Sequence, residues 1–320
     1  MDDIADTLIG KATLTRDEVV GQVDLPLDLV LRLWSAMGFP EVPADVVAFT
    51  ERDVQALRDA SLVASSGIVE TDSLVALARS MGQSMSRLAE MHVTNLAHVA
   101  EREDEETTRA LAEAGVPVVA RLLEYIWRRH LAASATSALE RTGDTALAVG
   151  FVDLVGYTGL SRRLEPGDLE PLVEAFDDIV ASTASRHATR VVKTLGDGVL
   201  LAGTSAGDLA QVLLSVLASV DADSRLPEAR AGLACGPVLQ RHGDVYGETV
   251  NIASRITGLA RPGSLLADEQ ASQALREDGG WDVKAAGVHS VRGYSKLKTW
   301  RVRAAESSTE RSESPRGDRH

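Results

Sequence analysis

Cysteine is almost absent from this chain: Cys235 is the only one. That excludes an internal disulfide, and its setting in Leu233-Ala234-Cys235-Gly236 reads as a small core residue. Also missing is any apolar run of the roughly 18 residues that cross a bilayer, and no basic segment precedes an apolar stretch at the N-terminus. Neither a membrane span nor a signal peptide is therefore expected, and the protein is expected in the cytoplasm. Positive charge is in short supply. The 33 Lys and Arg face 47 Asp and Glu, a net charge of −14, which disfavours nonspecific binding to nucleic acid or anionic membranes. His130, His187, His242 and His289 are too scattered for a zinc motif.

What the chain does have is acid at two well-defined positions. Ala146-Leu147-Ala148-Val149-Gly150-Phe151-Val152 is almost continuously apolar, as a strand buried on both faces should be, and Asp153 ends it. The following Leu154-Val155-Gly156-Tyr157-Thr158-Gly159 carries no charge and two glycines, so amides near a helix start could face phosphate oxygens. Forty-four positions after Asp153, Arg190-Val191-Val192 and Val199-Leu200-Leu201 flank Gly196-Asp197-Gly198, a hairpin pattern that pins a carboxylate at a turn tip. Either motif alone is ordinarily only a turn. Together, two carboxylates on adjacent strand ends could hold two Mg²⁺ ions roughly 3.5–4 Å apart.

A third element, Asp244 to Arg255, begins as a turn and continues into a helical pattern that sets Asn251 and Arg255 four apart, on one face. Asn offers a neutral amide suited to a sugar oxygen; Arg offers a planar cation suited to a phosphate gaining charge.

Phe151-x-Asp153-x-x-Gly156-Tyr157-Thr158, Lys193-x-x-Gly196-Asp197, Asp244-x-x-Gly247-x-x-Val250-Asn251-x-Ala253-x-Arg255 and Val291-Arg292-Gly293 follow one another in an order that resembles the class III nucleotidyl cyclases, the adenylate and guanylate cyclase family. The resemblance covers about residues 144–303. It implies that Asp153, Asp197 and the Leu154 carbonyl bind two divalent ions, Mg²⁺ or Mn²⁺. It also implies that the amides of residues 155–159, including Gly156, Tyr157 and Thr158, hold metal and triphosphate. Lys193 and Asp244 would read the adenine edge, which presents one acceptor and one exocyclic donor. Asn251 would orient the ribose and Arg255 would stabilise the pentavalent phosphorus. Arg292 stands where the family often carries a phosphate-binding Lys, keeping charge but changing geometry. The implied activity is conversion of ATP to cyclic AMP. Because this chain carries both the metal carboxylates and the base-reading, Asn and Arg set, a homodimer with two sites shared between chains is expected. The implied fold is α+β: a ferredoxin-like α/β sandwich, with strand, helix, hairpin, helix and strand in that order.

Supporting patterns are a helix through 168–185 with Asp168 as a possible cap, and Ser205-x-x-Asp208 as a capping box before a second helix. Short apolar runs at 229–234, 264–267 and 297–302 suggest further strands.

Residues 1–105 hold eight Lys and Arg against nineteen Asp and Glu, −11 of the chain's −14. Helical spacings such as Leu27-x-x-Val30-Leu31-x-x-Trp34 predict an all-helical regulatory domain, broken at Gly38, Pro40 and Pro43. Asp28 to Asp59 has a superficial helix-turn-helix pattern, but Arg32, Arg52 and Arg58 amid surplus acid are too few cations for a DNA-binding face. Over roughly residues 13–100 the pattern instead resembles the N-terminal domain of mycobacterial pH-responsive adenylate cyclases. Residues 106–143 form a linker region whose amphipathic helix is interrupted upstream by Pro117, and 304–320 reads as a disordered tail. His92, His98 and His130 are candidate pH sensors, since histidine changes charge near cytoplasmic pH. Two alternatives stay open: a catalytically silent nucleotide-binding or interaction module with a cyclase fold, and a diguanylate cyclase, which would need a Gly-Gly-Asp/Glu-Glu-Phe turn where Leu195-Gly196-Asp197-Gly198-Val199 stands.

Overall fold

A computed structural model describes residue 6 and residues 8–139, 146–187, 189–241 and 243–305. His242 and the expected tail lie outside the described residues, except that Ala304 closes a strand and Ala305 follows it. The chain divides into two compact units, residues 1–140 and 141–320.

The first unit is mostly helical: α1 (Arg16–Val20), α2 (Leu27–Ala36), α3 (Glu51–Ser65), α4 (Thr71–Ala100) and α5 (Glu105–Leu139). It is not all helical, however. Strand β1 (Leu14–Thr15) pairs antiparallel with β2 (Val47–Phe49), which brings Phe49 into a core with Val19, Leu33, Val54 and Leu57. Strands of two and three residues are too short to display alternation, so periodicity could not reveal them. A capping box between Thr50 and Asp53 then starts α3. The segment between α2 and α3 contains β2, so these helices lack the short turn of a helix-turn-helix reader. Pro117 does not interrupt α5, which runs through it. One missing N–H is tolerated where Ala, Leu, Glu and Arg on both sides favour helix.

The second unit is an α+β sandwich. Strand β3 (Ala146–Leu154), short helix α6 (Tyr157–Leu160), α7 (Pro166–Ala184), β4 (Thr189–Thr194), β5 (Gly198–Gly203), α8 (Ala206–Ala222) and β6 (Ala229–Pro237) give the ferredoxin-like order. Asp168 lies in the first turn of α7 rather than at its cap, which is Glu165. Ser205 caps α8 by accepting from the Asp208 amide. Beyond β6 come the hairpin β7 (Leu239–Arg241) and β8 (Asp244–Tyr246), α9 (Glu248–Leu259), β9 (Leu265–Ala267), α10 (Glu269–Asp278), β10 (Trp281–Val291) and β11 (Tyr294–Ala304). The main sheet has the order β10-β11-β9-β6-β3-β5-β4; only β6 and β9 run parallel.

Alternation along the strands separates two faces. Ala148, Val152 and Leu154 of β3 pack with Phe176, Leu209, Leu213 and Leu275 beneath α7, α8 and α10. Leu147 and Val149 pack instead with Leu200, Ala234, Val245 and Ala253, beneath α9 and the β7–β8 hairpin. Asp153 shares the odd-numbered face of β3 with the second group. Gly232 of β6 sets the depth of α9: a Cβ there would lie 2.5 Å from the Thr257 backbone nitrogen and 2.8 Å from the Ala253 carbonyl.

Candidate active site

The two acids come together by strand pairing. Asp153 stands opposite Gly198 on β5, directly after the turn that carries Asp197, and the Leu154 amide donates to the Asp197 carbonyl at 2.9 Å. Gly196 supplies the turn with φ +76°, a left-handed angle that side chains other than glycine rarely adopt. Burial pushes the Asp197 carboxyl above the usual carboxylate range; the neighbouring Asp153 charge adds to this, while the Asp197 amide and Arg230 oppose it.

Arg230 was not anticipated. Its Nη2 and Nε donate to one Asp153 oxygen at 2.8 and 3.1 Å, and its Nη1 donates to the Gly258 carbonyl at the end of α9 at 3.1 Å. The only sequence signal is a charged residue opening an otherwise apolar run, Ala229 to Leu233. Arg230 lies directly opposite Asp153 across β3 and β6, which makes the pair a product of register. Two half-buried, mutually repelling hard oxygen donors that already draw a cation fit a divalent ion such as Mg²⁺ or Mn²⁺. Among the described residues no cluster of three or more His, Cys, Asp or Glu offers a competing site.

Gly156, with φ +75°, turns the chain after β3 into α6. Tyr157 packs its ring against the core, while Gly156, Thr158 and Gly159 are exposed. Not every amide of this loop faces outward. Val155 donates to the Glu228 carbonyl at 2.7 Å and Gly159 to the Gly156 carbonyl at 2.9 Å, so those two amides are already used within the chain.

Lys193 and Asp244, fifty-one residues apart, form an ion pair of 2.6 Å. A β-bulge makes this possible. Val191 pairs with Leu201 but Lys193 pairs with Leu200, so Val192 is the extra residue and Lys193 faces the same side as Leu200, toward β8. Arg190 also reaches the hairpin, donating to the Gly243 carbonyl at 2.7 Å. Burial alone would raise the Asp244 carboxyl, but hydrogen bonds from Lys193 and the Val245 amide carry it below its ordinary value.

Asn251 and Arg255 lie on the exposed side of α9, opposite buried Ala253, Ile256 and Thr257. Arg292 is at the exposed tip of the β10–β11 hairpin, whose Val291 and Tyr294 pack near Ile256 of α9. In the first unit, His98 and His130 are exposed and His92 is half-buried.

Residues 140–304 match the family described as the adenylate and guanylate cyclase catalytic domain, and that span exceeds half the chain. The chain belongs to this family of class III nucleotidyl cyclases. An adenylate cyclase of Streptomyces coelicolor is 39% identical over 260 residues, covering 78% of this chain and 68% of the relative. One from Glutamicibacter nicotianae is 33% identical over 323 residues, covering 93% and 80%. A pH-sensitive adenylate cyclase of Mycobacterium tuberculosis is 29% identical over 313 residues, covering 91% and 78%. Class III cyclases use divalent metal ions. No helix among the described residues is long and apolar enough to cross a membrane.

Proposed function

We propose that this adenylate cyclase converts ATP into 3′,5′-cyclic AMP and pyrophosphate at sites shared between two copies of the chain. The observation that carries the reading is the Lys193–Asp244 ion pair, in a chain that also brings Asp153 and Asp197 together on neighbouring strand ends. Adenine presents a ring acceptor and an exocyclic amine, which a Lys donor and an Asp acceptor complement; guanine presents the reverse. Asp153 and Asp197, with the Leu154 carbonyl, would hold two divalent ions, which acidify the ribose hydroxyl and neutralise the leaving phosphates. The 3′ oxygen loses its proton and bonds to the α-phosphorus as the bond to the β-phosphate oxygen breaks, releasing pyrophosphate. Arg255 stabilises the charge that builds on the equatorial oxygens, Asn251 orients the ribose, and Arg292 and the 156–158 backbone contact the triphosphate. Arg230 would pass from Asp153 toward the phosphates once a cation takes its place.

Sharing between chains is supported by α9, whose Asn251 and Arg255 face away from the sheet that carries the carboxylates. Incubating the purified full chain with ATP or GTP and Mg²⁺ or Mn²⁺ tests the reading. Cyclic AMP should form only with metal, and Asp153→Ala or Asp197→Ala should each cut turnover by about 100-fold or more. Efficient turnover in both variants would overturn the metal assignment, and equal use of GTP would overturn the base reading. Mixing inactive Asp153→Ala and Arg255→Ala chains should restore roughly a quarter of wild-type activity, because half the dimers then hold one intact site of two. No recovery after verified subunit exchange would place each site within one chain.

Control by acidification is a finer part of the same proposal, supported by the pH-sensitive mycobacterial relative. Protonation of His92, His98 or His130 in the acidic N-terminal unit would shift the balance between two helix packings.

A further inference from the structure

Alternation along β8 turns Val245 into the core and leaves Asp244 and Tyr246 on the other face. Lys193 meets both of them. Its ammonium donates to Asp244 at 2.6 Å and lies 5.8 Å from the centre of the Tyr246 ring, within cation–π range. At 48% exposure, the Tyr246 ring is not filling the core, so its place beside the ion pair calls for another account.

We propose that Tyr246 is a positioning residue for base recognition, its ring holding the Lys193 ammonium in place while Asp244 engages the nucleotide. The inference rests on the reading of Lys193 and Asp244 as the adenine-reading pair. Lysine carries a flexible four-carbon stem, so a fixed donor direction requires more than one contact on the head group. Asp244 supplies one such contact. When that carboxylate accepts from an exocyclic amine, its hold on Lys193 is divided. The Tyr246 ring attracts the same ammonium independently of the carboxylate, leaving a donor of Lys193 directed at the ring nitrogen of adenine. A guanine edge offers no acceptor there, so a held Lys193 favours ATP over GTP.

The test compares KM and kcat for ATP and GTP in the full-length wild type, Tyr246→Leu, Tyr246→Phe and Tyr246→Trp proteins, each checked for folding by its melting temperature. Tyr246→Leu, which removes the ring, should raise KM for ATP and reduce the ATP over GTP preference by roughly twofold to fivefold, with kcat for ATP little changed. Phe and Trp keep a ring and should restore the wild-type preference. The half-exposed position tolerates all three, and if Tyr246→Leu melts early, the Phe and Trp proteins still decide the matter, since loss of preference in both overturns the role of the ring. An unchanged preference in Tyr246→Leu overturns the proposal too, as does an equal fall in kcat for both nucleotides, the mark of a merely structural role. Failure of the underlying reading looks different: the wild type itself would show no preference, or Lys193→Ala would not alter it.

Discussion

Substituting Gly232 by alanine probes how closely the site helix is held. The added Cβ would lie 2.5 Å from the Thr257 nitrogen and from its Oγ1, and 2.8 Å from the Ala253 carbonyl oxygen, whereas ordinary contact begins near 3.4 Å. Two of the three atoms are helix backbone and cannot rotate away, so α9 must move outward by about 1 Å. Overpacking of this kind costs ~1–3 kcal/mol. Disturbing the buried hydrogen bond from the Thr257 hydroxyl to the Ala253 carbonyl, 2.8 Å long, costs about 1 kcal/mol more. Lower entropy of the unfolded chain returns ~0.4–1 kcal/mol. A net loss of about 1–4 kcal/mol in urea unfolding is expected. Because α9 also carries Asn251 and Arg255, a 1 Å displacement should lower kcat by about 100-fold. Gly258→Ala is the control: it sits on the same helix with open space around its added carbon and should be neutral or stabilising by up to ~1 kcal/mol. A Gly232→Ala protein that unfolds and turns over like the wild type would refute the claim that close approach at this glycine sets the depth of the helix.

Three further outcomes follow from other residues. Asp268 is 6% exposed and caps α10, and burial pushes its carboxyl up to about 6. Since the folded state takes the proton at higher pH than the unfolded state does, stability should rise as pH falls from above 6 toward about 4, by on the order of 2–3 kcal/mol. Asp268→Asn keeps a capping oxygen and should flatten that dependence; an unchanged slope in chemical unfolding at several pH values would refute it. Cys235, whose thiol burial and the Asp268 charge push up to about 12, should react with a thiol reagent at pH 8 only after unfolding, and rapid labelling of the native protein would contradict this. If the histidines of the N-terminal unit report acidification, replacing His92, His98 and His130 by glutamine should flatten the activity profile between about pH 5.5 and 7.5, and a superimposable normalised profile would remove them from control.

The order from β3 to β6 was legible because β3, β5 and β6 are nearly pure apolar runs, whereas α10 and the long, polar-interrupted strand β10 carry no such run and were not anticipated. Lys193 and Asp244 were also legible as separate candidates. What the sequence did not disclose is how they meet, since a bulge at Val192 adds no unusual residue type to Arg190-Val191-Val192-Lys193-Thr194. Arg230 escaped for a related reason: its partner is set by register across two strands seventy-seven residues apart. Segment Asp244–Tyr246, expected as a turn, is the second strand of a hairpin, with only three residues to show alternation. In the first unit, β1 and β2 were invisible at their length, and Pro117 overstated the break in α5.

The bulge in β4 carries a consequence for how such an enzyme could change the nucleotide it accepts. With one residue more than its partner strand, β4 turns Val192 and Lys193 toward the same side, one filling the core beneath the hairpin and the other meeting Asp244. Pairing without the bulge would set Val192 opposite Leu200 and Lys193 opposite Val199, on the other face, which would uncouple Lys193 from Asp244. Register in this edge strand is therefore a determinant of selectivity in its own right, separate from the identity of the residues that read the base. Deleting Val192 leaves Lys193 opposite Leu200 and should keep the preference for ATP over GTP while losing the core contact of Val192; loss of the preference would show that the extra residue itself fixes the position of Lys193.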